Sequence, residues 1–411
     1  MNTKHQITVD PNVEKMSTQQ KESNIPAHTN KSVAVFSLNP TTHACPIIRI
    51  ISPLTENNWA ISWCAEYINS AWFFNIDHAK TVDLIIIQRH FPAPFTAETI
   101  KKLLKLNIPI IYETDDLFFD IPRKHTSHKN LKKCKPYIKW VVKSADQIVT
   151  STDILKTSLC KHTTKPIHVL KNTIDFKLFS SSPKMKRNSF NILIAGTSTH
   201  QSDWDIIKAP LLEVLKKHQG KVRAIFFGHL PRAFQNNPAV DLIDFQGDYK
   251  QYANTLKRLS IQAALVPLEK TAFNDCKSNI KWLEYSAAGI PGIYSNSTPY
   301  NSCIENGKTG LLADNTKTAW LQAIESLINN PEYAIELATH SQAIVRNGYT
   351  IDNLPKNYFS LFDNLIGKGH KSTVISELSI TPTLIKEKML SKFSVFLNKH
   401  FLWRLKSHRK L

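Results

Sequence analysis

The sequence predicts an α/β protein built as two doubly wound domains facing across a cleft, and three observations carry that prediction. Short β-branched runs alternate with longer amphipathic stretches from residue 33 onward, the pattern of a parallel sheet wrapped by helices. Several runs are apolar throughout, Leu84-Ile-Ile-Ile87 and Ala224-Ile-Phe-Phe227 among them, which implies burial on both faces of a sheet. A polar break at 180–188, SSSPKMKRN, interrupts all periodicity and divides the series in two.

Residues 1–30 are polar, mix both charge signs and have no apolar core of the kind an export signal needs, so they read as a flexible leader. In the first domain, 31–178, strands are expected at 33–37, 82–88, 110–113, 147–151 and 167–170. Helical spacing marks 97–106, 131–143 and 152–159, the last behind a Ser151 cap. A linker at 179–189 leads to the second domain, 190–347, with strands at 191–195, 222–227, 240–245, 263–267 and 290–295. Its helices are expected at 203–217, 249–259, 279–288, 318–329 and 332–346, followed by a returning helix within 348–366. Two such domains place a ligand cleft between the carboxyl ends of their strands.

Composition narrows the function classes. The 411 residues are 42% hydrophobic and 21% charged, an ordinary globular balance, and no apolar run reaches the ~18 residues that span a bilayer. Six cysteines lie far apart with no C-x-x-C pair, which argues against a zinc site and a secreted disulfide framework and fits a reducing cytosol. Fifty-two Lys and Arg against thirty-three Asp and Glu leave +19, a field that favours polyanions. The charge is concentrated. Residues 123–143 carry eight Lys and Arg, with Arg123, Lys124, Lys132 and Lys133 foremost, and no acid, interleaved with Tyr137 and Trp140. Residues 368–411 carry ten Lys and Arg against Glu377 and Glu387, and their apolar and lysine positions separate on a helical projection as in a membrane-surface helix. A helix packed on its own domain with a solvated lysine face would read the same way.

The segment 273–291, FNDCKSNIKWLEYSAAGIP, carries most of the chemistry. Ser278 is placed to cap a helix over 279–288, and Gly289 to stop it. A helix start directly after a strand offers backbone N–H groups and a positive dipole end to phosphate, and Lys277 adds a full charge. Glu284 lies a turn and a half in, where a carboxylate can accept two ribose hydroxyls. Together they describe a nucleotide site.

This segment resembles the donor-site helix of the GT-B glycosyltransferases, in particular the family 4 type, the glycosyl transferases group 1. Further pieces match in collinear order: IPIIYETDDLF at 108–118, ADQIVTS at 145–151, LKNTID at 170–175, GTSTH at 196–200 and NGKTGL at 306–311. The resemblance spans roughly 33–366 and implies two Rossmann-like domains, the first binding an acceptor and the second a nucleoside diphosphate sugar. It implies that Glu284 is the ribose-binding second glutamate of the E-x7-E motif, whereas Cys276 stands where the first glutamate belongs. Lys277, Ser278 and Asn279 replace a glycine-rich turn and are expected to hold the diphosphate, with Gly196 and His200 beside it. Where many relatives have a sugar-facing histidine, this chain has Thr114-Asp115-Asp116, so Asp115, with Asp116 second, is expected to position or deprotonate a hydroxyl.

The function implied is transfer of a sugar to an acceptor hydroxyl, with retention, in surface polysaccharide, lipopolysaccharide or other glycoconjugate synthesis. The acceptor would be a glycan or lipid-linked glycan and the location the cytoplasm, at the inner face of the cell membrane. No cofactor or metal is expected, because Asp203 and Asp205 open a helix at a spacing that does not converge. Three other readings share these residues: a nucleotide-sugar epimerase or phosphorylase on the same fold, a non-catalytic partner subunit, and a nucleic-acid-binding protein. The last lacks any nucleic-acid motif and is not expected.

Overall fold

The computed structural model describes residues 31–184, 189–354 and 360–370. The leader at 1–30, residues 185–188 of the linker and the basic tail from 371 lie outside the described residues.

The first domain holds a six-stranded, all-parallel sheet: β1 (Ser32–Phe36), β2 (Ala60–Trp63), β5 (Leu84–Gln88), β6 (Ile110–Thr114), β7 (Gln147–Thr150) and β8 (Ile167–Val169). Between β2 and β5 the chain forms an antiparallel hairpin, β3 (Ala65–Ile68) and β4 (Ala71–Phe74). The sheet order is β2-β1-β5-β6-β7-β8. In the second domain β9 (Phe190–Ala195), β10 (Val222–Gly228), β11 (Val240–Asp244), β12 (Ala263–Val266), β13 (Gly292–Ser295) and β14 (Leu311–Ala313) form a second six-stranded sheet. Its order, β11-β10-β9-β12-β13-β14, is the doubly wound arrangement, with all pairs parallel. The order reverses between β9 and β12, and in the first sheet between β1 and β5. Loops diverge at those points and leave a crevice at the strands' carboxyl ends.

The central strands are apolar because helices cover both faces: every residue of β5 and of β12 is buried. The helices follow the expected spacing with small shifts, for example Ala97–Leu103, His128–Ser144, Gln201–Lys217 and Tyr249–Arg258. Residues 44–56 form a continuous helical stretch that sequence patterning did not mark, because its π-helical centre, Ile47–Ile51, reads as a strand. Helix Asp153–Cys160 is capped by Thr152, whose hydroxyl accepts from the Leu155 amide at 3.2 Å, and not by Ser151. In place of one long returning helix, the described part of 348–366 is a 3-10 turn, Ile351–Asn353, and a short helix, Ser360–Asp363. Phe362 and Leu365 pack with Val33, Ile50 and Trp59, so the chain finishes this stretch on the first domain. Among the described residues no helix is long and apolar enough to cross a membrane.

The domains share a packed seam. Phe273 and Cys276, from the loop after β12, belong to the first domain's core cluster, while Ala44, Ile47 and Ile48 of the first domain pack on the second's. Gly289 ends helix Ile280–Ala287 at a φ of 66°, and a Cβ there would lie 2.6 Å from the Ser181 carbonyl oxygen and 2.7 Å from the Pro183 nitrogen. Both obstacles are backbone. Gly289→Ala is therefore expected to destabilise the protein by more than the ~1–2 kcal/mol of a left-handed non-glycine residue, seen as a lower urea midpoint; an unchanged midpoint would contradict this packing.

Candidate functional site

The loops at the carboxyl ends of the two sheets bring one charged cluster together from both domains. From the second domain, the chain leaves β12, turns through the short helix Ala272–Asp275, and enters helix Ile280–Ala287 at the reversal point of the sheet. Lys277 sits at that entrance with its ammonium 5.3 Å from the centre of the Phe273 ring. The capping differs from expectation: Asn279 occupies the N-cap position without a side-chain cap, and the Ser278 hydroxyl instead accepts a 2.7 Å hydrogen bond from Asn172 of the first domain. Asn172 in turn accepts from Arg49 at 2.7 Å, and Arg49 donates to Glu113 at 2.7 Å. All of Arg49, Glu113 and Asn172 are buried. A continuous polar chain thus runs from β6 to the start of the helix.

Asp115 and Asp116 follow β6 and are both held by Arg89, which follows β5. The Arg89–Asp116 contact is 2.7 Å, and the guanidinium also lies 5.3 Å from the centre of the Phe118 ring. Arg89 adopts a φ of 54°, a costly backbone state for a residue with a long side chain, of the kind that concentrates at functional sites. Against the cost of burial, the Arg89 and Lys277 charges hold the Asp116 carboxyl below its ordinary range. A carboxylate so stabilised is a poor base but a good acceptor for a hydroxyl hydrogen, which suits orienting a substrate better than deprotonating it.

His125 lies between the halves, edge-on to Phe273 with ring centres 5.8 Å apart. Burial, then Lys277, pushes its imidazole below the ordinary range. From the second domain, His200 bonds through Nδ1 to Asp203 at 2.9 Å, and burial and Lys277 again lower its basicity. Gly196 makes room for this: a Cβ there would stand 2.9 Å from the His200 ring and 3.1 Å from Trp204. Asp203 does more than favour a helix start, since its carboxylate also accepts from the Glu269 amide at 2.7 Å and the Asn274 amide group at 3.1 Å.

Glu284 does not stand beside Lys277. It is buried, and its two oxygens accept separately from the Tyr249 hydroxyl at 3.0 Å and the Tyr252 hydroxyl at 3.1 Å, with Lys281 at 2.9 Å. Burial and the carboxylate together push both phenols far above their ordinary value, so they remain hydroxyl donors. Cys276, where the resemblance places a glutamate, is turned into the seam, 3.6 Å from the Ser158 hydroxyl, and its thiol is pushed up by burial. Its backbone carbonyl accepts from Thr152 at 2.9 Å.

The basic patch divides. Lys124 is exposed at the cleft mouth, 3.9 Å from Glu269 of the other domain, whereas Lys132 and Lys133 lie on the solvent face of helix His128–Ser144. Arg123 is exposed. Trp140 is buried and Tyr137 half-buried, so these aromatics serve the helix's inner side and do not interleave with the lysines in solvent. The residues that sequence reading passed over are Arg89, His125 and the carboxylate hub role of Asp203; the charge of Lys277 acts on Asp116, His125, His200 and Asp203, all of them distant from it in sequence.

No protein-family model and no curated protein matches the chain. Among solved structures, sucrose-phosphate synthase of Thermosynechococcus elongatus superposes with a TM-score of 0.63 at 12% identity, covering 82% of this chain and 99% of that one. HepE of Anabaena, in complex with UDP and glucose, gives 0.58 at 14% identity, over 82% of this chain and 100% of its own. A glycosyltransferase of Rickettsia africae gives 0.54 at 12% identity, over 82% and 99%. The likeness shows the fold: two Rossmann-like domains in the GT-B arrangement.

Replacing Glu284 by alanine removes the acceptor of the buried Tyr249 hydroxyl and of the half-buried Tyr252 hydroxyl, while Lys281 keeps the Tyr252 oxygen at 2.9 Å. Glu284→Ala is expected to cost roughly 1–3 kcal/mol of stability. Denaturant unfolding measures it, and an unperturbed midpoint would mean that this carboxylate is not held as described.

Proposed function

We propose that this protein is a glycosyltransferase that moves a sugar from a nucleoside diphosphate to an acceptor hydroxyl, with retention and without a metal. The observation that carries the reading is the convergence of Lys277, His200 and His125 with the Arg89–Asp116 pair at the carboxyl ends of both sheets, where the domains meet. HepE, of the same fold, is described in complex with UDP and with UDP-glucose, which supports a nucleotide sugar as donor. In this reading Lys277 and the amides at Ser278 and Asn279 meet the leaving diphosphate, whose charge grows in the transition state. Glu284 already binds one hydroxyl on each oxygen, the pattern a ribose diol would present; half-buried Tyr252 is the group that gives way. Asp115 and Asp116, both paired with Arg89, orient the acceptor or a sugar hydroxyl.

Thermal stabilisation across a set of nucleotide sugars tests the site, because a ligand that binds the folded state alone raises its melting temperature. Lys277→Ala should weaken binding of the selected nucleotide sugar about 10–100-fold, the worth of a charged hydrogen bond, with the melting temperature of the free protein unchanged. Equal affinity in the variant would remove Lys277 from the donor site.

The acceptor is proposed to be a glycan or lipid-linked glycan, reached at the cytoplasmic face of the membrane in surface polysaccharide or glycoconjugate synthesis. Support comes from the solvent-facing lysines of helix His128–Ser144, with Lys129, Lys132, Lys133, Lys135 and Lys139 all exposed. Near an anionic surface each is worth about 1 kcal/mol. Lys132→Glu with Lys133→Glu should sharply reduce sedimentation with phosphatidylglycerol vesicles at low salt; unaltered sedimentation would separate this face from membrane binding.

A further inference from the structure

We propose that Asp203 is the positioning residue of the second domain's ligand site: its hydrogen bond fixes the His200 proton on Nδ1 and leaves Nε2 as the free nitrogen, so that a diphosphate seated beside Lys277 draws a proton from solvent onto Nε2. The inference rests on the donor-site reading above and adds to it a proton-linked step and the residue that sets it.

The geometry begins with what a carboxylate can do. Asp203 is 3% exposed and engaged on both oxygens. Oδ2 meets His200 Nδ1 at 2.9 Å, while Oδ1 accepts from the Glu269 amide at 2.7 Å and the Asn274 side-chain amide at 3.1 Å. The His200 bond and the Lys277 charge outweigh burial and keep this carboxyl below its ordinary range, hence ionised. An ionised carboxylate accepts and never donates, so Nδ1 of His200 must carry the hydrogen. In the neutral ring Nε2 is then a lone pair. A lone pair repels a phosphate oxygen; the same nitrogen, once protonated, donates to it.

The charges facing His200 decide when that happens. On its own helix there is Asp203; from the entrance and first turn of helix Ile280–Ala287 there are Lys277 and Lys281; from the first domain there is His125. Burial and the two lysines favour the neutral ring, and Asp203 opposes them. A diphosphate offsets both lysines at once and tilts the balance toward the cation. By linkage, a ligand that binds the protonated form better takes up protons, and its affinity rises as pH falls, by up to about tenfold per pH unit between the free and bound titration points.

Asp203 also ties this imidazole to the lysine. Its partner Asn274 accepts, through its backbone carbonyl, a 3.1 Å bond from the Lys277 amide, and Asn274 donates to the Glu269 carbonyl at 2.8 Å. One buried carboxylate therefore fixes the tautomer on one side of the diphosphate position and the loop that carries Lys277 on the other.

Two measurements test this. Long-range proton–nitrogen spectra of the ligand-free protein should show His200 neutral near pH 7 with hydrogen on Nδ1, and Asp203→Asn should move it to Nε2, because an amide NH2 now faces Nδ1. Calorimetry with uridine diphosphate glucose, or the nucleotide sugar selected by thermal shift, in buffers of different ionisation enthalpy should show proton uptake by the wild-type protein. Both phosphates of that probe are esterified and do not titrate near neutrality. His200→Gln should still bind, with proton uptake reduced and affinity rising less steeply from pH 8 to pH 6 than in the wild type, the remainder coming from His125. Hydrogen on Nε2 in the free wild-type protein, binding without uptake, or undiminished uptake by His200→Gln would each overturn the inference while leaving the donor site standing. Failure of every nucleotide sugar to bind would remove the donor site and the inference with it.

Discussion

The anchoring of one loop sets the rest of the cleft. Residues 267–279 connect β12 to helix Ile280–Ala287, and Phe273 and Cys276 of this stretch are buried in the core of the opposite domain. Loops usually run over a surface because their backbone polar groups need partners. Here partners come from both sides: Thr152 donates to the Cys276 carbonyl, Asn172 donates to Ser278, and Asp203 holds Asn274 and the Glu269 amide. Lys277 projects from a support that belongs to neither domain alone.

Electrostatics in the cleft follow from that support. Lys277 is close enough to depress the basicity of His125 and His200 and to help keep Asp116 ionised, although Asp116 is paired with Arg89 and not with Lys277. The first domain therefore presents two carboxylates sharing one half-buried arginine, together with His125, and the second presents the Lys277 cation with His200 beside it. A polyanion entering this space meets positive charge without displacing an existing ion pair. The cost of holding Arg89 at positive φ is offset by two carboxylates and the Phe118 ring.

Glu284 illustrates how a correct position in sequence can acquire unforeseen surroundings. Its place in the helix follows from 3.6-residue spacing, and its Lys281 partner at i−3 is a local contact any helix would permit. The two tyrosines that occupy its oxygens come from helix Tyr249–Arg258, 35 and 32 residues away. Cys276 is the complementary case: its side chain is buried in the seam with the Ser158 hydroxyl at 3.6 Å, where an unpaired carboxylate would be costly.

By itself the sequence determined the periodic part of this protein. Apolar strand runs, amphipathic helices and the αL stop at Gly289 are local consequences of burial and backbone sterics, and they suffice to announce two doubly wound domains. It did not announce the hairpin β3–β4, the short β14 or the helical stretch at 44–56, whose strand and helix signals are brief or contradictory. Tertiary structure alone decided which polar residues meet: Arg89 with Asp115 and Asp116 across 26 and 27 residues, Asp203 with Glu269 and Asn274 across 66 and 71, Asn172 with Ser278 across 106. Periodicity tells which side of an element is buried, but a hydrogen bond between loops depends on how two sheets and their crossovers are stacked, and that is a property of the whole packed chain.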